Sequence, residues 1–331
     1  MATLYHRDQP GAPALTYSGA VTAQGQYNAF KEILKAALVS GYGSTPPAGW
    51  ELIYEADNLL VLRTGTHSGY VCFRRESSLS VVTVWLASTY SGVDANGTII
   101  GLGVRSGTAA SSSVPHRFSV RALAGYSASS TWAMVADAGT FVLSPSPSSA
   151  ASPVEVTGNV GAAYETTHII YCGDDSAGDL ICVGGTNTSA VNIATSYSGF
   201  SGAGFTCLKS PGTGLLVGDG AIAVYIPGTF NTQLTESAFE YPAGTVLPEV
   251  NLSPLYWLAD STVRRFRGLA VEPALVMAYN SHASQALGGP PLTTRTMNTL
   301  LDLGDGHAYL VGRSYWRSSI TAFLTTNPEF W

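Results

Sequence analysis

The chain has 331 residues, 45% of them hydrophobic and only 11% charged, with a formal net charge of −6. That charged share is under half of the usual ~25%, and with 16 Lys and Arg in all the chain lacks the basic stripe that nucleic acid demands. Such a surface fits a protein that shares much of itself with partners better than an isolated soluble domain with its charged coat.

The opening MATLYHRDQPGAPAL has no basic-then-apolar layout of a secretory signal, so synthesis in a cytoplasm without Sec export is expected. No run of about 20 apolar residues follows anywhere, and no membrane span is expected. Residues 1–26 are rich in Gly, Ala, Pro and Thr without periodicity and read as an extended arm, of the kind that reaches neighbours in assemblies. In YNAFKEILKAALVSGYG, Phe30, Ile33, Leu34, Ala37 and Leu38 recur at helical spacing on one face. Asn28 is the expected N-cap and Gly41 the expected left-handed terminator, and Pro46-Pro47 bars continuation. Strands are predicted at 51–56, 59–63, 69–74 and 79–87, the first two joined by a turn at Asp57-Asn58. These elements form an N-terminal unit over 1–91. A Gly/Ser/Ala-rich stretch at 92–115 reads as a long loop.

A β-rich middle unit spans 92–248. In WAMVADAGTFVL, Trp132, Met134 and Ala136 alternate with Ala133, Val135 and Asp137, the period of a half-buried strand. A turn at Ala138-Gly139 leads into Thr140, Phe141, Val142 and Leu143. In HIIYCGDDSAGDLICVGG, strands at 168–172 and 180–183 flank an Asp/Gly turn. Residues 180–218 hold one cation, Lys209, and no acid. That stretch is either a loop or a flat small-residue surface against another subunit, the second favoured because Val191, Ile193, Phe200 and Phe205 need cover. The C-terminal unit, 249–331, has strands at 262–269, 274–279 and 308–311, and its terminal Phe330-Trp331 is expected to dock. The fold class is mainly β (α+β): antiparallel β-sandwich-like domains with one short N-terminal amphipathic helix.

Chemistry is sparse. Cys72, Cys172, Cys182 and Cys207 form no C-x-x-C and read as small buried hydrophobes; Cys172 and Cys182 flank a turn and could face each other. Asp174, Asp175 and Asp179 are the one dense acidic cluster, but GDDSAGD lacks the length and late Glu of a calcium loop, so turn formation is the better reading. Arg264, Arg265 and Arg267 in VRRFRG read as a charged strand face or subunit contact rather than a phosphate site. The histidines at 6, 67, 116, 168, 282 and 307 show no ligand spacing. No G-x-S-x-G and no Walker pattern occurs. No catalytic residue, metal or cofactor is therefore assigned. A sugar site built on aromatics such as Tyr197 with Phe200, or Tyr315 and Trp316, stays open beside the core reading of those rings.

Taken in order, ALVSGYG with PPAGWELIY, WAMVADAGTFVL, YCGDDSAGDLICVGG, and LPEVNLSPLYW with RFRGLA resemble a family of tailed-bacteriophage virion proteins of the tail tip or baseplate; AVEPALV stands where that family has a Pro-Gly-Leu turn. The resemblance implies a structural, non-enzymatic subunit located in the virion tail and assembled in the host bacterial cytoplasm. Its implied partners are other tail or baseplate proteins and copies of itself, with no cofactor and no nucleic acid. A receptor- or glycan-binding module of the same tip is the alternative, and an envelope-degrading hydrolase a remote one.

Overall fold

The computed structural model describes residues 1–14, 22–76, 81–107, 116–119, 131–146, 169–184, 205–217, 224–225, 252–271, 300–313 and 322–331. These form three antiparallel sheets and a two-stranded ribbon around one helix. The first sheet runs Glu51–Ala56, Leu59–Arg63, Tyr70–Arg75, Val81–Ala87 and Arg117–Ser119 in spatial order. The central sheet runs Thr3–His6, Thr131–Ala136, Thr140–Ser146, Ile170–Asp174, Leu180–Val183 and Phe205–Cys207. The third runs Val224–Tyr225, Ser253–Ala259, Thr262–Val271, Ala322–Thr325, Tyr309–Arg313 and Leu300–Leu301. The mainly β, antiparallel, sandwich-like reading with one N-terminal helix holds.

The layers explain the apolar runs. Trp132, Met134, Ala136, Phe141, Leu143, Ile170, Cys172 and Cys182 pack against the helix and the inner face of the first sheet, which supplies Leu60, Leu62, Val71, Phe73, Val84 and Leu86. The residues between them, Ala133, Val135, Val142, Tyr171, Ile181 and Val183, pack against Leu255, Trp257, Phe266, Leu269, Leu310 and Leu324 of the third sheet. The central sheet is therefore covered on both faces. This corrects the half-buried reading: over 132–136 the side chains of both parities are apolar and fully buried, and only Asp137 at the turn is part-exposed. Parallel sheets buried on both faces read as near-continuous apolar runs, and this antiparallel one does too, because it too has no wet face. The two clusters also cross the lines drawn at 91 and 248, since each joins residues from two of the three predicted units.

The helix starts earlier than its apolar stripe. It spans Ala23–Leu34, with Thr22 as N-cap accepting from the Gly25 N–H at 3.1 Å. Asn28 is not the cap; it sits inside the helix and accepts from Gln24 at 2.8 Å. The first turn, AQGQ, has no apolar periodicity to reveal it, although Tyr27 continues the buried face and donates to Phe73 O at 2.6 Å. After Leu34 the helix widens to a π segment, Lys35–Ser40, and stops at Gly41 with φ +73°. The Ala48 N–H covers the Ala37 carbonyl at 2.9 Å, and the Gly49 and Trp50 N–H groups cover Leu38 O at 3.0 and 2.9 Å, so these carbonyls at the helix end stay paired.

Three further expectations change. The N-terminal arm does not lie free for neighbours at Thr3–His6, which pairs with 133–136 as an edge strand of the central sheet. The stretch 92–115 is not all loop, because Gly92–Val93 and Ile99–Ile100 form a ribbon over the first sheet. Within 180–218, Leu180–Val183 and Phe205–Cys207 are buried strands of the central sheet, while 185–204 lies outside the described residues. Val191, Ile193, Phe200 and the predicted strand at 274–279 lie outside the described residues. Phe330 is buried, and Trp331 packs on the third sheet and donates to Thr325 O at 2.7 Å, so the terminal pair docks.

Candidate functional site

Among the described residues, a dense polar cluster lies where turns of the first and central sheets meet a strand of the third. It is built from the 137–140 turn, the 174–179 hairpin tip, the 64–68 loop of the first sheet and Arg267 of the third. Asp137 organises its own turn, its Oδ1 accepting from the Gly139 and Thr140 N–H groups at 2.9 Å each. Its Oδ2 receives Arg267 Nη2 at 2.6 Å, and Arg267 Nη1 donates to Thr140 Oγ1 at 3.0 Å. The Thr140 hydroxyl and the Tyr171 hydroxyl both donate to Asp174 O, at 2.7 and 2.6 Å. Thr66 reaches from the first sheet to donate to Asp174 Oδ2 at 2.7 Å. The Gly65 N–H donates to Ala138 O at 2.7 Å and the Trp50 indole to Asp137 O at 3.0 Å. The close approach needs glycine at Gly173, whose φ is +135° and where a Cβ would stand 2.3 Å from Gly139 O.

The three acids of GDDSAGD serve this architecture, with Asp174 Oδ1 and Asp175 Oδ2 buried and without a hydrogen-bond partner. Asp175 Oδ1 accepts from the Ala177 and Asp179 N–H groups at 2.8 and 3.0 Å, a side-chain-mimicked turn. Its Oδ2 lies buried, 3.9 Å from Arg264 Nε, too far for a hydrogen bond. Burial pushes the Asp175 carboxyl up to about 6. Asp174 is also raised by burial, against the opposing pull of the Ser68 and Thr66 hydroxyls. Asp179 pairs with Lys209 at 3.5 Å. No group of three or more His, Cys, Asp and Glu side chains in a metal-holding arrangement occurs among the described residues.

The arginine strand is equally committed within the chain. Arg264 donates to Pro211 O at 2.9 Å, Arg265 to Glu329 O and Trp331 O at 2.8 and 2.9 Å, and Arg267 joins the junction while lying 5.3 Å from the Trp331 ring. His116 is fully buried between Thr206 Oγ1 at 2.9 Å and Gly184 O at 2.7 Å. A carbonyl can only accept, so Nε2 carries the proton and Nδ1 accepts from the Thr206 hydroxyl, which itself takes the Gly107 N–H. This ring is neutral, and burial lowers its pKa to about 4. His67 is exposed at the surface and bonds Glu51 at 3.2 Å. Cys172 stands directly opposite Cys182 in the ladder, and all four thiols are free and buried. Burial drives Cys72 and Cys207 up to about 12, which keeps them as thiols. His168, His282, Tyr197, Tyr315 and Trp316 lie outside the described residues.

Two features of the surface went unread in the sequence. Leu102, Leu215 and Leu216 are exposed at 64, 70 and 42% and come from two touching loops, Gly103 abutting the Leu216 side chain. The outer face of the first sheet carries Tyr54, Tyr70, Trp85 and Tyr90 beside Glu51 and Arg63. Both are invisible to periodicity. The first depends on two loops about a hundred positions apart, and the second on a bulge between Leu52 and Tyr54 that breaks the alternation of ELIYEA. Comparison of the chain with protein families and with curated proteins finds no match.

Proposed function

We propose that this chain is a structural subunit of a bacteriophage virion, placed at the tail tip or baseplate and working through protein–protein contacts. The observation that carries the reading is the split between interior and surface. The described ionic groups of the acidic hairpin and of the VRRFRG strand tie the chain's own sheets together. Exposed aliphatic side chains, Leu102, Leu215 and Leu216 with Ile100, stand on adjoining loops where an isolated domain would carry charge. The ordered set of motifs that resembles those of tail-tip proteins suggests the particle. The partners are copies of this chain and other tail or baseplate proteins, met during assembly in the host cytoplasm. The reading assigns no catalytic step.

Size-exclusion chromatography with light scattering, alone and with purified tail proteins, tests the reading. Association that is weakened by Leu102→Ser with Leu215→Ser supports it. A chain that stays monomeric and retains no tail protein contradicts it.

A further inference from the structure

We infer that the part of the first sheet's outer face beside the 92–100 ribbon is a saccharide-binding platform, with Tyr54 and Tyr90 as its stacking surface, Tyr70 backing Tyr90, and Glu51, Arg63 and His67 as its polar rim. The residues reach one face by register. Arg63 pairs with Glu51 on one side and Tyr70 on the other, and in the adjacent row Val61 pairs with Tyr54 and Cys72. Cys72 in turn pairs with Trp85. The bulge between Leu52 and Tyr54 turns both Ile53 and Tyr54 outward, the re-aiming that bulges perform. Tyr54 is consequently 38% exposed.

The chemistry selects the ligand class. Tyr90 is stacked on Tyr70 with centroids 5.9 Å apart and planes 28° apart, so Tyr70 supports Tyr90 and the rings offered to a ligand are Tyr90 and Tyr54. Arg63 already lies over Tyr70 at 5.7 Å, so the cation position of an aromatic cage is filled from within the chain and a cationic ligand is disfavoured. Glu51 holds Arg63 at 3.3 Å and His67 at 3.2 Å, which sets an acceptor between two donors at the rim. His67 keeps this place from a left-handed backbone, φ +62°, that a non-glycine residue adopts only when its surroundings hold it there. The Trp85 Nε1–H, on the same face, is buried and has no hydrogen-bond partner. A pyranose ring offers an apolar face of C–H groups for the tyrosines and a girdle of hydroxyls that both donate and accept. The tyrosine rings match the apolar face, and carboxylate and guanidinium side by side match that duality. A polyanion or a nucleic acid would instead need the unpaired positive charge that Glu51 cancels here.

The full chain, fluorescently labelled, is applied to an array of bacterial O-antigen, capsular and peptidoglycan-derived saccharides, and hits are titrated. Binding that falls by about tenfold in Tyr54→Ala and in Tyr90→Ala, and is kept in Tyr54→Phe, is expected. Tyr256→Ala, equally exposed on the third sheet, serves as control and stays within about twofold. Thermal melts of each variant establish that the fold is intact. No bound saccharide, or binding that Tyr54→Ala and Tyr256→Ala leave equally unchanged, overturns the inference. So does a silent array with self-association lost in Tyr54→Ala, which would make this face a subunit contact.

Discussion

Two buried titrating groups oppose each other in the acid range, and removing one exposes the other. Folding lowers the His116 pKa from 6.5 to about 4. The unfolded chain therefore takes up a proton that the folded chain refuses. The His116 contribution is complete above pH 6.5 and lost as pH falls through the window down to 4. The gap of about 2.5 pH units, at about 1.4 kcal/mol per unit, is worth about 3 to 4 kcal/mol. Folding raises Asp175 from 3.8 to about 6. Here the folded chain keeps a proton that the unfolded chain releases, so the contribution is complete below pH 3.8 and lost as pH rises through 6. Its gap of about 2.2 pH units is again worth about 3 kcal/mol. Between pH 4 and 6 the two slopes nearly cancel, and Asp174, raised by burial as well, adds to the Asp175 side. Urea denaturation at half-unit steps from pH 4 to 7 reads the balance through the midpoint at constant m. The native chain is expected to show a shallow profile over that window. Asp175→Asn leaves His116 opposed by Asp174 alone among these groups, and stability then falls from pH 6.5 to 4 by up to about 3 to 4 kcal/mol. A profile for Asp175→Asn that matches the native one would refute the burial argument for both groups.

Arg267→Ala strips the junction of the cation shared by Asp137 and Thr140 and is expected to cost about 2–4 kcal/mol in the same denaturation assay; Arg267→Lys recovers little because it cannot make both contacts. Gly173→Ala places a Cβ within 2.4 Å of the Thr140 Cα in a left-handed backbone, and a loss above about 3 kcal/mol, or failure to express soluble protein, is expected. Thr22→Ala lowers stability by about 1 kcal/mol while Asn28→Ala stays within about 0.5 kcal/mol, which distinguishes the observed helix start from the one its apolar stripe suggests.

How much of this was legible follows from the range of each interaction. The hairpins at 131–146 and 170–183, the helix face and the turn role of the acids rest on neighbours a few positions apart, and periodicity with turn chemistry carries that information. The layering did not show, because an antiparallel strand covered on both faces differs from a half-covered one only in whether Ala133 and Val135 meet another sheet, and that sheet comes from residues 255–324. The helix start was hidden because AQGQ is held by a cap and by Tyr27 rather than by an apolar stripe. The pairing of Thr3–His6 with 133–136 joins segments over a hundred residues apart, and no local signal marks it. The junction needed Arg267 to meet Asp137, and the outer aromatic face needed a bulge in the Glu51–Ala56 strand. VRRFRG and ELIYEA give each residue type but not its partner.

The central claim is that this chain is built into a phage tail, and an image reconstruction of the intact particle tests it most directly. Density for three stacked sheets is expected at the tail tip or baseplate, with the loops carrying Leu102, Leu215 and Leu216 pressed against a neighbouring subunit. Purified particles that lack the chain, or density in which those loops face open solvent on every copy, would contradict it.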